Sequence, residues 1–215
     1  MKKRISVAQI GVGYWGPNLL RNLVASQSVN VKKVVDFSRD RRDYVSGLYP
    51  AVSVTDKAEE VFSDPDIQAV VIATPVATHF GLVMQALNAG KHVLVEKPMA
   101  TSEEEMAKIG ELAGEKNLVA MVGHTFLYNS AVRYVKGLID SGDLGDIRYI
   151  YSQRVNLGRI RSDVDALWNL APHDISIIQY WLGGLAPISV KRSGMAYVQN
   201  GVEDVVFMNV VYPNN

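Results

Sequence analysis

The chain has no cysteine, so disulfides and thiolate metal sites are excluded and the redox compartment is left open. It has no net charge, since 22 basic and 22 acidic residues cancel. That balance lacks the basic footprint of a nucleic-acid binder. Long apolar runs are also missing. The longest, Ala69 to Ala73, falls far short of the ~20 residues a membrane span needs. Met1-Lys2-Lys3-Arg4 is basic, but the apolar stretch after it ends at Ile10, too short for the apolar region of a signal peptide. These absences read as a cytoplasmic protein without a membrane segment. The four histidines, at 79, 92, 124 and 173, show no zinc-type spacing, and no metal site is expected. What the chain does have is apolar content: 48% of 215 residues, enough for the core of one large domain or two small ones.

Up to about residue 122, short apolar runs alternate with helical stretches. The runs are Ile5–Ile10, Val31–Val35, Ala69–Ala73, His92–Val95 and Val119–Val122. They read as continuously apolar, as parallel strands covered on both faces do. Between them, Leu19, Leu20, Leu23 and Val24 form one helical apolar face. Phe80, Val83, Met84 and Leu87 form a second, ended by Gly90, and Met106, Ile109, Leu112 and Ala113 form a third. Thr101 with Glu104 has capping-box spacing and predicts the start of that third helix. Such alternation predicts an α/β fold, a doubly wound parallel sheet with right-handed crossovers.

After about residue 125 the pattern changes. A helix is expected over Ala131–Ser141, ended by Gly142. Residues 147–155 alternate Ile, Tyr, Tyr, Gln, Val with Arg, Ile, Ser, Arg, which predicts an antiparallel strand with one buried face. A helix follows over His173–Leu182, then strands over Ile188–Val198 and Val202–Tyr212. The expected division is a Rossmann domain, 1–125, and an α+β domain with a mostly antiparallel sheet, 126–215. About three strands are few for such a sheet. Pro213-Asn214-Asn215 is turn chemistry with nothing after it. The second domain therefore reads as truncated.

Gly11-Val12-Gly13-Tyr14-Trp15-Gly16 follows a predicted strand and opens a predicted helix. Gly11 allows the tight turn, Gly13 the close approach of a pyrophosphate and Gly16 tight helix–strand packing, with the helix N-terminus facing the anion. Pro17 is tolerated in the first turn. Asp36 ends the second strand, 20 residues after Gly16, where a carboxylate accepts hydrogen bonds from ribose hydroxyls. It repels a 2′-phosphate, which favours NAD over NADP, while Arg39, Arg41 and Arg42 nearby keep NADP open. Thr74-Pro75 closes a strand at the ligand-binding edge of the sheet and is expected to touch the cofactor. Thr78 is a candidate N-cap. His79 is either a solvated first-turn residue or a cofactor contact. Glu96-Lys97-Pro98 follows the next strand. It is either a surface ion pair or a lysine beside the nicotinamide, where a cationic ring lowers its pKa and suits it to proton transfer.

Together, Gly11–Gly16, Ala73-Thr74-Pro75 with Thr78-His79, Glu96-Lys97-Pro98 and Trp168-Asn169-Leu170-Ala171-Pro172-His173-Asp174-Ile175 resemble the glucose–fructose oxidoreductase / inositol dehydrogenase / MocA family. The resemblance covers the whole chain. It implies an NAD(P)-dependent oxidoreductase acting on a secondary alcohol of a sugar, cyclitol or sugar nucleotide. It also implies an open second-domain sheet that carries substrate and a homo-oligomer interface. By position, Lys97 and His173 match the catalytic pair. Tyr14, Trp15, Glu96 and Lys97 join Gly11, Gly13, Gly16, Asp36, Thr74, Pro75 and His79 on the cofactor side. Asn169 stands where members commonly have Asp. It can orient the His173 ring but cannot hold an imidazolium by charge, which shifts weight to Lys97.

Candidate substrate residues are Asn129, which is equally well placed as a helix N-cap, and Arg154, Asn156, Arg159, Arg161, Trp168 and Asn169. The arginines suit a phosphorylated or carboxylated group, or form a solvated strand face. Trp15 and Trp168 either flank the ligands or pack in the core. The glycine loop and the Leu-Ala-Pro-His stretch lean towards members acting on sugar nucleotides. The rival readings are an enzyme that retains and recycles its NAD, and a non-catalytic NAD-binding module or truncated inactive member.

Overall fold

The computed structural model describes residues 4–156 and 164–213. The chain divides into two units, Met1–Gly123 and His124–Asn215.

The first unit holds a six-stranded, all-parallel sheet. Its strands are β1 (Ile5–Ile10), β2 (Val29–Val35), β3 (Ser53–Thr55), β4 (Ala69–Ile72), β5 (His92–Val95) and β6 (Ala120–Val122), in the order β3-β2-β1-β4-β5-β6. This is the doubly wound dinucleotide-binding order, whose switch point lies between β1 and β4. Helices α1 (Gly16–Ala25) and α2 (Arg39–Leu48) cover one face, where Val7, Val12, Leu20, Val31, Val34 and Val45 form one core. On the other face Ala8, Ile10, Val35, Ile72, Val83, Leu87, Val93, Val95 and Ile109 pack with α3 (Glu59–Phe62), α4 (His79–Asn88) and α5 (Glu103–Glu115). Successive residues of one strand, Val34 and Val35, serve opposite cores, because strand side chains alternate.

Three elements here depart from expectation. Strand β3 with α2 and α3 fills the stretch between the second and third expected strands. Three residues of strand carry too little periodicity to be seen in sequence. The box that starts α5 is Ser102 with Glu105, one residue later than expected. Ser102 caps the Glu105 amide, and Glu105 accepts from the Thr101 amide at 2.9 Å. In Thr-Ser-Glu-Glu-Glu both registers satisfy the spacing, and the extended backbone of Ser102 selects the second. Finally, β1 is not wholly apolar. Gln9 is fully buried in it, for a reason that lies in the site.

The second unit contains a 3-10 turn (Thr125–Tyr128), α6 (Ser130–Asp140), α7 (Ala166–Trp181) and an antiparallel pair, β7 (Ser189–Met195) with β8 (Val205–Val211). Helix α7 begins seven residues before the expected start. Asp165 caps it by accepting from the Trp168 amide at 2.8 Å, and Pro172 sits inside it. A mid-helix proline normally marks a boundary, which displaced the expected start to His173. The alternating stretch 147–155 forms no strand, and the described sheet of this unit has two strands rather than three. Its side-chain alternation is real, but a strand needs a partner edge. Tyr149, Tyr151 and Val155 are exposed rather than covered. No described helix is long and apolar enough to cross a membrane.

Candidate active site

In the first unit the loops after β1, β2, β4 and β5 are bound to one another by specific contacts. The glycine loop is shaped from beneath. Gln9 Nε2 donates to the carbonyls of Gly11 at 2.9 Å and Gly16 at 2.8 Å, which closes the loop across the start of α1. Gly11 has φ +94°, and a Cβ on it would lie 2.5 Å from the Ala73 carbonyl oxygen. A Cβ on Gly16 would lie 2.5 Å from the Gly11 carbonyl oxygen. Gly13 differs: nothing lies within 4 Å of its hypothetical Cβ, and its φ is not left-handed. Two glycines are therefore required by the protein's own packing. The third leaves open space that a Cβ would fill, as a phosphate-binding cradle needs. Tyr14 is exposed beside it.

Asp36 follows β2. Its carboxylate accepts from the Val12 amide at 2.8 Å and the Ser38 amide at 2.9 Å, so the glycine loop is tied to the end of β2. Arg42 Nη1 donates to the carbonyls of Asp36 (2.7 Å) and Phe37 (3.0 Å), and Arg39 lies along its own helix beside Asp43. Phe37, directly after Asp36, is 89% exposed.

After β4, Thr78 Oγ1 donates to the Pro75 carbonyl at 2.7 Å, and the Thr74 hydroxyl lies 2.7 Å from Thr78 Oγ1. Thr78 occupies the N-cap position of α4 but makes no side-chain cap. His79 is not solvated: it is 1% exposed. Its Nδ1 lies 2.7 Å from the Pro98 carbonyl oxygen and its Nε2 2.9 Å from that of Thr74. Both ring nitrogens are thus committed to backbone. His79 is a staple between the loop after β4 and the Glu96-Lys97-Pro98 loop. An apolar helix face with one histidine in its first turn gives no sequence sign of this.

Glu96 is largely buried, and desolvation raises its carboxyl pKa. The Lys97 amide, the nearby Lys97 and His79 charges, and a hydrogen bond from Trp15 oppose the rise without cancelling it. A Cβ on Gly123 would meet Glu96 Oε1 at 3.2 Å, so the end of β6 backs this carboxyl. Trp15, the residue before α1, is thereby linked to the loop that carries Lys97. Lys97 itself is half-buried, and its peptide bond to Pro98 is cis.

In the second unit, Asn169 and His173 lie four residues apart on α7 and share a helix face. His173 is inside the helix, not at its start. The Phe126 ring lies 4.8 Å from the His173 ring, inclined at 60°. Arg154 makes a two-pronged ion pair with Asp174, Nε to Oδ2 at 2.8 Å and Nη2 to Oδ1 at 2.9 Å. Burial pushes the Asp174 carboxyl pKa up, but the bonds from Arg154 and Ser152 outweigh it, and the net shift is downward. Asn129 caps α6 through a bond from the Ala131 amide at 2.9 Å, which realises its structural reading. Asn129 also lines a cleft of about 280 Å³ with Thr125, Phe126 and Tyr128. Trp168 and Asn156 are exposed. Arg159 and Arg161 lie outside the described residues. Among the described residues no cluster of three or more His, Asp or Glu could hold a metal.

Sequence expectation did not include Gln9. A polar residue in a strand otherwise buried at that end was the available signal.

Comparison with known proteins agrees with this fold. The family described as "Oxidoreductase family, NAD-binding Rossmann fold" matches residues 5–124. The uncharacterized oxidoreductase YdgJ of Escherichia coli (strain K12) is 32% identical over 99% of this chain and 63% of its own length. The scyllo-inositol 2-dehydrogenase (NADP(+)) IolW of Bacillus subtilis (strain 168) is 31% identical over 78% of this chain and 47% of its own. The crystal structure of GenD2 from gentamicin A biosynthesis, in complex with NAD, superposes with TM-score 0.87 at 24% identity, covering 99% of this chain and 64% of that one. The chain thus spans less than two thirds of the length of each of these relatives.

Proposed function

Because the chain belongs to the glucose–fructose oxidoreductase / inositol dehydrogenase / MocA family of NAD-binding oxidoreductases, we propose that it serves as an NAD(P)-dependent dehydrogenase oxidising a secondary alcohol of a sugar, cyclitol or sugar nucleotide. The observation that carries this reading is the set of tied loops at the switch point of the sheet. Gly13 is left open among packed glycines, Asp36 holds the loop, Glu96 links it through Trp15 to the Lys97 loop, and His79 staples that second loop to the one after β4.

The backbone around Gly13 and the N-terminus of α1 would hold the pyrophosphate, with Tyr14 and Trp15 alongside. Asp36 would accept from the adenosine ribose. NAD is preferred, because Asp36 opposes a 2′-phosphate and Arg42 is already spent on two carbonyls. Thr74, Pro75, Glu96 and Lys97 would line the nicotinamide end. When bound, the dinucleotide supplies the hydride acceptor. The alcohol proton goes to Lys97 or to His173, and the carbon is left as a ketone. Asn169, one helical turn from His173, orients its ring. Trp168, Asn156, Asn129 and the arginines at 159 and 161 are the substrate-side candidates. The protein works in the cytoplasm as a homo-oligomer joined through the second-unit sheet.

The test is NAD reduction at 340 nm with a panel of cyclitols and sugar nucleotides, comparing the wild type with Lys97→Ala. Turnover that disappears in the variant while calorimetric NAD binding remains supports the assignment. Equal turnover removes Lys97 from the mechanism. NAD binding with no turnover on any alcohol points to a binding module.

A further inference from the structure

The arginine at 154 is the one described member of the substrate-side arginines, and its surroundings assign it a different task. Its fork is closed on Asp174 by two parallel hydrogen bonds. Its guanidinium also lies over the Phe126 ring, 4.8 Å from the centroid. Asp174 is the residue after His173, and Phe126 is the ring packed on His173. Arg154 therefore grips both neighbours of the His173 imidazole.

Among the described residues, the other charged groups packed around α7 have other partners. The 3-10 turn carries no charge, and β8 carries none. On α6, Arg133 lies over Tyr128 and donates to the Leu127 carbonyl, and Lys136 pairs with Asp140. Asp165, two turns before His173, faces Arg192. Glu203, whose carbonyl accepts from the Ala166 amide at the start of α7, pairs with the same Arg192, and His124 stands just before the 3-10 turn. Among the described residues, Asp174 is a carboxylate adjacent to His173 in the chain, and Arg154 is its counter-charge.

We propose that Arg154 is a positioning residue for His173. It fixes the ring through the Phe126 platform and neutralises Asp174, and it does not hold a substrate anion. The proposal rests on the reading that His173 works at the reaction centre, but its first test needs no turnover. Nitrogen-15 NMR of the imidazole, followed against pH in the full chain, gives the titration midpoint of His173. Losing the counter-charge in Arg154→Met exposes His173 to the Asp174 carboxylate. The midpoint should rise by about 0.5–1 unit, and the ring-proton shifts should change as Phe126 reorients. Arg154→Met with Asp174→Asn should restore the midpoint. Arg154→Lys keeps the charge without the fork. It should hold the midpoint while moving the ring shifts, and it serves alone if the Met variant does not fold. An unmoved midpoint in folded Arg154→Met, or unmoved ring shifts in Arg154→Lys, overturns the proposal.

With an active substrate in hand, a positioning residue lowers kcat and moves the pH profile at near-constant KM. A rise in KM with an unmoved profile would make Arg154 a substrate ligand. Absence of turnover in the wild type would refute the dehydrogenase reading and leave the NMR result standing.

Discussion

Replacing each of the three loop glycines by alanine should separate folding from nucleotide binding. At Gly11 the added Cβ lies 2.5 Å from the Ala73 carbonyl oxygen and 2.9 Å from Thr74 Cγ2, at φ +94°. Left-handed backbone costs a non-glycine residue about 1–2 kcal/mol. Forcing a carbon into packed backbone costs about 1–3 kcal/mol more. The sum is about 2–5 kcal/mol, a fall of roughly 6–15 °C in Tm at about 3 °C per kcal/mol. Gly16→Ala meets backbone at the same 2.5 Å but without left-handed strain, so it should lose about 1–3 kcal/mol. Gly13→Ala meets nothing within 4 Å and should leave Tm within about 2 °C of wild type. Yet it should weaken NAD binding the most relative to its effect on stability. On the proposed reading its methyl group stands where the pyrophosphate would approach, and losing two charge-assisted hydrogen bonds would cost about 3 kcal/mol, or about a hundredfold in Kd. Differential scanning calorimetry and isothermal titration on the same preparations give both numbers. Wild-type NAD affinity in Gly13→Ala, or a Tm loss equal to that of Gly11→Ala, would refute the assignment of open space at Gly13 to the phosphate.

Three further outcomes follow from the site. His79→Ala removes the buried ring that bridges the Thr74 and Pro98 carbonyls, so stability should drop by about 1–3 kcal/mol in urea denaturation. Glu96→Gln should stabilise the unliganded protein near pH 7. Burial raises the folded-state pKa of Glu96, so the unfolded chain gives up this proton first. The wild type therefore loses stability as pH rises through and above the ordinary glutamate range, and the advantage of the variant should fade below pH ~4. A constant difference across pH would contradict this. Asp36→Ala removes the acceptor for the Val12 and Ser38 amides and, on the proposed reading, the ribose contact. NAD affinity measured by calorimetry should fall by about 10- to 100-fold, with the preference for NAD over NADP reduced or reversed.

The sheet was legible in the sequence because its strands are buried on both faces. Runs such as Ala69–Ile72 and His92–Val95 carry the signal within a few residues. Strand β3 was not, since Ser53-Val54-Thr55 is held by its position against β2 and not by pattern. The stretch 147–155 failed for the opposite reason. It has the period of a strand, but pairing is a property of two segments, and one segment's sequence reports only its own half. Pro172 misled because local propensity places it at a helix end, while Asp165 had already started α7 two turns earlier. Within the site, the turn at Gly11 and the close packing at Gly16 could be read from spacing, while Lys97 was marked by the family resemblance. The roles of Gln9, His79 and Arg154 could not, because each acts on residues brought near by the fold. Gln9 reaches seven residues along the chain, His79 reaches nineteen, and Arg154 reaches twenty.

Gln9 has a consequence for engineering. Its side-chain amide is held in one orientation because both of its carbonyl partners need a donor, and its Oε1 faces buried surroundings without a protein partner. The curvature of the glycine loop is therefore set from inside the strand before it. A graft of Gly11–Gly16 onto another scaffold would carry the letters of the loop without its template. Transplanting β1 together with the loop, including the amide at position 9, is the smallest unit that should keep its shape.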